Sequence, residues 1–157
     1  MYYPQHFIVQ EFVTPKAYLA YGQSSWRFIN IGTVKIAEFL RNYFDAPIYI
    51  NTWHSKLLIR RIGLRKESGY RNPSTKTGSD WSAHKRGMAI DIKVKGIDAP
   101  EVQAEIIKNY DCVFKGIGIT AIELNTPTWT HITNENWQSD ELKLISFYKK
   151  PKKKPNK

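Results

Sequence analysis

Two histidines and one aspartate offer the plainest chemistry in this chain. His84 and Asp91 lie in the run Ser82-Ala83-His84-Lys85-Arg86-Gly87-Met88-Ala89-Ile90-Asp91, and His131 closes Trp129-Thr130-His131. Two imidazoles and one carboxylate form the ligand set of a catalytic zinc: three protein ligands, with a fourth position open to water. Such an ion lowers the pKa of bound water and polarises a carbonyl. Taken alone, the same three residues could equally be two unrelated polar histidines and one buried aspartate.

The surrounding pattern says how these groups could be held. From Met88 to Val94 the chain alternates, with Met88, Ile90, Ile92 and Val94 on one face and Ala89, Asp91 and Lys93 on the other. That period of two predicts a half-buried strand with Asp91 on its polar face. His84 falls on the loop leading in, where Gly87 permits close backbone approach. Gly116 to Leu124 and Thr128 to Thr133 read as two strands joined at Asn125-Thr126-Pro127, a hairpin in which His131 shares a face with Trp129 and Thr133.

The pattern His-x-x-Gly-x-Ala-x-Asp followed by Trp-x-His resembles the zinc peptidases that cut peptidoglycan stem peptides. These are the D,D- and L,D-carboxypeptidases, the D-Ala-D-Ala dipeptidases and the phage L-alanyl-D-glutamate endopeptidases, which share the Hedgehog/DD-peptidase fold. Ile50-Asn51-Thr52-Trp53, Ser68-Gly69-Tyr70-Arg71 and Gly116-Ile117-Gly118-Ile119 match in family order, so the resemblance covers roughly residues 11 to 135. It implies an α+β fold, with a small antiparallel sheet carrying the zinc site and helices flanking it. It also implies one Zn2+ held by His84, Asp91 and His131, with Ser82, Tyr70 and Trp129 as substrate contacts. In the similar enzymes the arginine of the Gly-Tyr-Arg stretch, here Arg71, faces the metal. A fixed cation there would stabilise an oxyanion or fork onto a terminal carboxylate.

A zinc hydrolase also needs a general base. In many of these enzymes an acidic residue stands three positions before the last histidine, but here that residue is Thr128, which cannot ionise. Glu123 is the nearest substitute, and strand register decides whether it can serve. A loop of Leu124 to Thr128 pairs Glu123 with Trp129 and puts it on the face of His131. A loop of Asn125 to Thr128 pairs it with Thr130 and turns it away. Asp80 is a weaker candidate. Two functions follow: a peptidase acting on stem peptides, or a degenerate relative that keeps zinc and serves as a wall-binding or virion module.

The rest of the chain bounds these readings. Its 157 residues, 41% hydrophobic and 13% aromatic, suffice for one domain with its own core. We expect that domain over residues 1–148, with 1–32 as an irregular arm burying its rings. Thr33 to Phe44 predicts a helix capped by Thr33, Ile48 to Thr52 a strand, and Asp98-Ala99-Pro100-Glu101 the start of a second helix. Leu57 to Arg65 is arginine-rich with little pattern. Ser68 to Asp80 is turn chemistry, and a loop this long is often functional. Glu141 to Tyr148 reads as a short terminal strand or helix. His54 is an ordinary polar position or a third imidazole near the metal.

The single Cys112 excludes an internal disulfide. The net charge of +10 favours anionic partners. Part of it sits in a basic tail, 149–157, whose composition is that of a disordered segment able to adhere to anionic wall polymers. No recognised nucleic-acid motif supports a specific nucleic-acid partner. No export signal or spanning stretch is visible. A monomer made in the cytoplasm and reaching the wall after release, as a phage endolysin or virion-associated protein, is therefore expected.

Overall fold

The computed structural model describes residue 2 and residues 4–126, 128–135 and 140–146. The basic tail expected at 149–157 lies outside the described residues. Five strands form one sheet in the order β1-β2-β4-β3-β5. They are β1 (Ile48–Tyr49), β2 (Ala89–Val94), β3 (Ala121–Leu124), β4 (Thr130–Thr133) and β5 (Lys143–Ser146). The architecture is α+β, as expected. The sheet is mixed rather than purely antiparallel, because β5 runs parallel to β3 at one edge. The other three pairings are antiparallel.

Register places the core and the polar residues on opposite faces. Ile90 of β2 pairs with Ile132 of β4, which pairs with Ile122 of β3. All three are buried. One position along, Asp91 pairs with His131 and His131 with Glu123. Because side chains alternate, this second row points away from the isoleucines. Fully burying an isoleucine is worth about 1.5–3 kcal/mol. A one-residue slip would expose that row and bury two charged groups, so the hydrophobic row holds the polar one in place.

Helix α5 (Ala99–Lys108) packs against β2, β3 and β4. It starts as predicted: Asp98 and Glu101 form a reciprocal capping box, with Pro100 in the first turn. Val102 and Ile106 are buried in the same core as Ile36 and Leu40 of α3 (Ile31–Tyr43). The α3 cap differs from expectation. Asn30, not Thr33, accepts from Gly32 N–H, at 2.8 Å. Thr33 is buried and its hydroxyl donates to the Gly87 carbonyl at 2.9 Å, tying α3 to the loop that carries His84.

Residues 1–32 are not irregular throughout. They hold α1 (Val9–Phe12), α2 (Pro15–Tyr21) and a 3-10 segment, Gly22–Phe28. Short turns of helix escape a periodicity test that needs several turns to register. The segment does bury rings: Phe7 and Phe12 are in the core, and Trp26 packs against Phe12. The stretch after β1 is likewise helical, as α4 (Lys56–Ile62), with Ser55 capping it. The Gly116–Leu124 strand is confined to Ala121–Leu124, and the Ile48–Thr52 strand to Ile48–Tyr49. Among the described residues, no helix is long and apolar enough to cross a membrane.

Candidate metal centre and cleft

Three ligand atoms converge above the polar row. His131 Nδ1 lies 2.8 Å from Asp91 Oδ1, and His84 Nε2 lies 3.2 Å from His131 Nδ1 and 3.3 Å from Asp91 Oδ1. Tetrahedral ligands about 2.0–2.1 Å from zinc stand about 3.3 Å apart. The triangle is close to one face of such a tetrahedron.

The protonation pattern tests the fit. His84 Nδ1 donates to the Gly69 carbonyl at 2.8 Å, which leaves its Nε2 as a bare lone pair. That lone pair faces the Asp91 carboxylate, so two acceptors oppose each other. A single proton on His131 Nδ1 is all that lies between them. A cation satisfies all three groups at once, and His84, Asp91 and His131 could hold a metal ion.

Each ligand is braced from a different part of the chain. Gly69 lets the carbonyl that orients His84 sit where it does. A Cβ there would fall inside the Phe12 backbone, whose carbonyl accepts from Tyr70 N–H at 2.6 Å. Gly87 ends the 3-10 turn Ala83–Arg86 at φ +68°, a conformation side chains rarely adopt. A Cβ there would strike the Phe28 carbonyl. Thus the N-terminal segment, although remote in sequence, sets the position of His84 at both of its flanks. Asp91 is fixed by its strand and by Arg71, whose Nη2 donates to Oδ2 at 3.0 Å. Arg71 Nε donates in turn to the Glu67 carbonyl at 2.7 Å.

The electrostatics suit a cation. Burial would raise the Asp91 pKa, but the charges and hydrogen bonds of His84 and His131 outweigh it and hold the carboxyl far below the usual range. Burial pushes the His84 imidazole below its ordinary value, against the pull of Asp91. The shift favours the neutral imidazole, the form that can bind a metal.

A cleft of about 490 Å3 opens beside the cluster, lined by Arg71, Ser82, Glu123, Trp129 and Glu135 among others. Glu123 shares the face of His131, as expected. The pairing differs from both alternatives: Glu123 stands directly opposite His131, because the connection runs over residues 125–129, with Leu124 still in β3 and β4 starting at Thr130. Burial pushes its carboxyl up, Asp91 adds to the rise, and His131 and Arg71 oppose it. Thr128 lies instead in a separate cavity with Ile92, Lys93 and Pro100.

Other expected site residues divide. Ser82 and Trp129 line the cleft. Tyr70 does not: its ring is buried and stacks on Phe28, with centroids 5.1 Å apart. It belongs to the core because its backbone is drawn against Phe12. Asp80 is exposed and pairs with Lys85 at 3.1 Å. His54 lies outside both the cluster and the cleft lining.

Glu135 has no counterpart among the sequence expectations. It lines the cleft and is ion-paired with Arg86. Its place beyond β4, four residues after His131, carried no recognisable signal. Glu67 was also missed. It accepts from the Thr75 and Thr77 hydroxyls at 2.7 and 2.6 Å and so clips the loop that walls the cleft. Compared with family models, curated proteins and solved structures, the chain matches none.

Proposed function

We propose that this protein is a zinc-dependent peptidase acting on peptidoglycan stem peptides. The observation that carries the proposal is the row Asp91–His131–Glu123 across three adjacent strands, with His84 closing the ligand triangle and an acid left over beside it. Two imidazoles and a carboxylate suit zinc, and they also suit ferrous iron. The spare carboxylate favours hydrolysis, which needs a base, over oxygen chemistry.

Zinc in this site would supply a Lewis acid for the scissile carbonyl and an activated water at neutral pH. Glu123 takes the proton of the attacking water and returns it to the leaving amine. Its raised affinity for protons suits both transfers. Arg71 aligns Asp91 through its Nη2, while its Nη1, on the cleft side near Gly78, faces the incoming substrate. Trp129 and Ser82 form the walls against which the peptide lies. The stem-peptide substrate rests on the motif resemblance and on the net charge of +10, which suits an anionic wall.

The test is mass spectrometry of purified peptidoglycan digested by the zinc-loaded protein, with His84→Ala as control. New peptide ends absent from the control establish the peptidase and name the bond. Zinc-loaded protein that binds the wall and yields no new ends, across walls of different cross-link chemistry, replaces it with a binding module.

A further inference from the structure

Helix α4 lies on the protein rather than in it. None of its residues Lys56–Ile62 is buried. Leu58, Ile59 and Ile62 turn partly inward, while Lys56, Leu57, Arg60 and Arg61 are exposed. Leu57, Arg60 and Arg61 follow the i, i+3, i+4 spacing of one helical face. After the turn at Gly63, Leu64 and Lys66 continue the exposed surface. Leu57 is 54% exposed and Leu64 60%.

A helix of this length is marginal on its own. This one is held from its ends. Ser55 caps its start, and the Thr52 hydroxyl donates to the Gly63 carbonyl at 2.6 Å. Arg65, just after the turn, donates to the carbonyls of Ile50 and Asp91, at 2.7 and 2.6 Å. The outer face is therefore presented without contributing to the core.

Its charge is one-sided. No aspartate or glutamate occurs from Ala46 to Lys66. Among the described residues, no ion pair engages Lys56, Arg60 or Arg61. Helix α2 extends the surface. Tyr18 of α2 meets Trp53, just before α4, with ring centroids 5.9 Å apart. Lys16 and Lys66 line one groove, where Glu67 marks the edge of the basic surface, and Leu19 of α2 is 84% exposed.

We propose that α4 and its return turn form a docking surface for an anionic lipid bilayer. Leucines set among unpaired cations suit this partner. The headgroups attract the cations, and the acyl boundary takes the leucines. A phosphate polymer would use the cations alone and leave the leucines in water. The surface lies outside the cleft lining, so the proposal stands or falls independently of the peptidase reading.

The experiment is sedimentation of the full-length protein with vesicles of phosphatidylcholine, pure or containing phosphatidylglycerol. Two double variants are compared with the wild type: Arg60→Gln with Arg61→Gln, and Leu57→Ser with Leu64→Ser. All four positions are exposed, so unchanged melting temperatures are expected for both. Wild-type protein should bind only the vesicles carrying phosphatidylglycerol, and less at high salt. The arginine variant should bind about 30-fold more weakly and the leucine variant about tenfold. Absence of wild-type binding, or binding by both variants as tight as that of the wild type, overturns the proposal. Loss in the arginine variant alone also overturns it and points to a polyanion instead.

Discussion

Replacing Glu123 with glutamine removes one ionisable group from the cleft and keeps its shape. Three structural facts set the expected size of the effect. Glu123 stands directly across from His131, on the same face of the sheet. It is not among the three converging ligand groups. Burial favours its protonated form. The first two place a carboxylate beside the candidate metal centre but not among the three groups that could hold an ion, as the proposed base requires. The third says that a neutral side chain is tolerated there. A positioned general base contributes about 100- to 10,000-fold, equivalent to about 3–5 kcal/mol of barrier. Glu123→Gln should therefore lower kcat by at least about 100-fold with little change in KM. Its zinc content and melting temperature should match the wild type. The assay is release of new peptide ends from purified peptidoglycan, read by mass spectrometry, beside metal analysis of the same preparation. Activity within about threefold of wild type would refute the base assignment. Loss of zinc together with activity would also refute it and make Glu123 a ligand.

Two further outcomes can be measured, one at the candidate centre and one remote from it. Zinc at a hundredfold excess over its dissociation constant stabilises the fold by about 2.7 kcal/mol, which raises Tm by about 5–10 °C for a chain of this size. His84→Ala and His131→Ala should abolish that rise, and an equal rise in both variants would place the ion elsewhere. Glu11 gives a pH dependence away from the cleft. Burial raises its pKa from 4.5 to about 7, partly offset by the Ile8 N–H that it accepts and reinforced by Glu38. The folded state holds this proton more tightly than the unfolded state. The stability it contributes is thus full below about 4.5 and is lost as pH rises through about 7. Glu11→Gln should flatten that window and stabilise the protein at pH 8 by up to about 3 kcal/mol, as measured by urea unfolding at a series of pH values.

Much of the centre was legible because its signals are local. The alternation from Met88 to Val94 assigned Asp91 to the polar face, and the structure keeps it there. The Asp98–Glu101 box and Pro100 lie within one turn of α5, so their meaning needed no tertiary partner. The period of two left Glu123 open to either face, since two loop registers remained. It could not choose between them, because both the face shared with His131 and the pairing follow from the length and path of the connection between β3 and β4.

Other assignments depended on contacts no local pattern encodes. Tyr70 sits beside Arg71 in the chain, yet its ring goes to the core because the Phe12 carbonyl draws its backbone inward. Thr33 looked like a cap and is instead a tie to Gly87, since a hydroxyl takes whichever buried acceptor the fold brings near. Arg71 spends one nitrogen on Asp91, a partner twenty residues away. The parallel placement of β5 and the cleft position of Glu135 arise from packing between distant segments.

By itself, the sequence determined which groups have the chemistry to bind a metal, and which face of each strand they occupy, because residue type and alternation are local properties. Only the tertiary structure decided that three of those groups meet within a few ångströms, that an acid stands opposite one of them, and that an arginine holds another. Those are distances between segments. They are set by a shared hydrophobic core whose rows of isoleucine lock the register of every strand that carries a ligand.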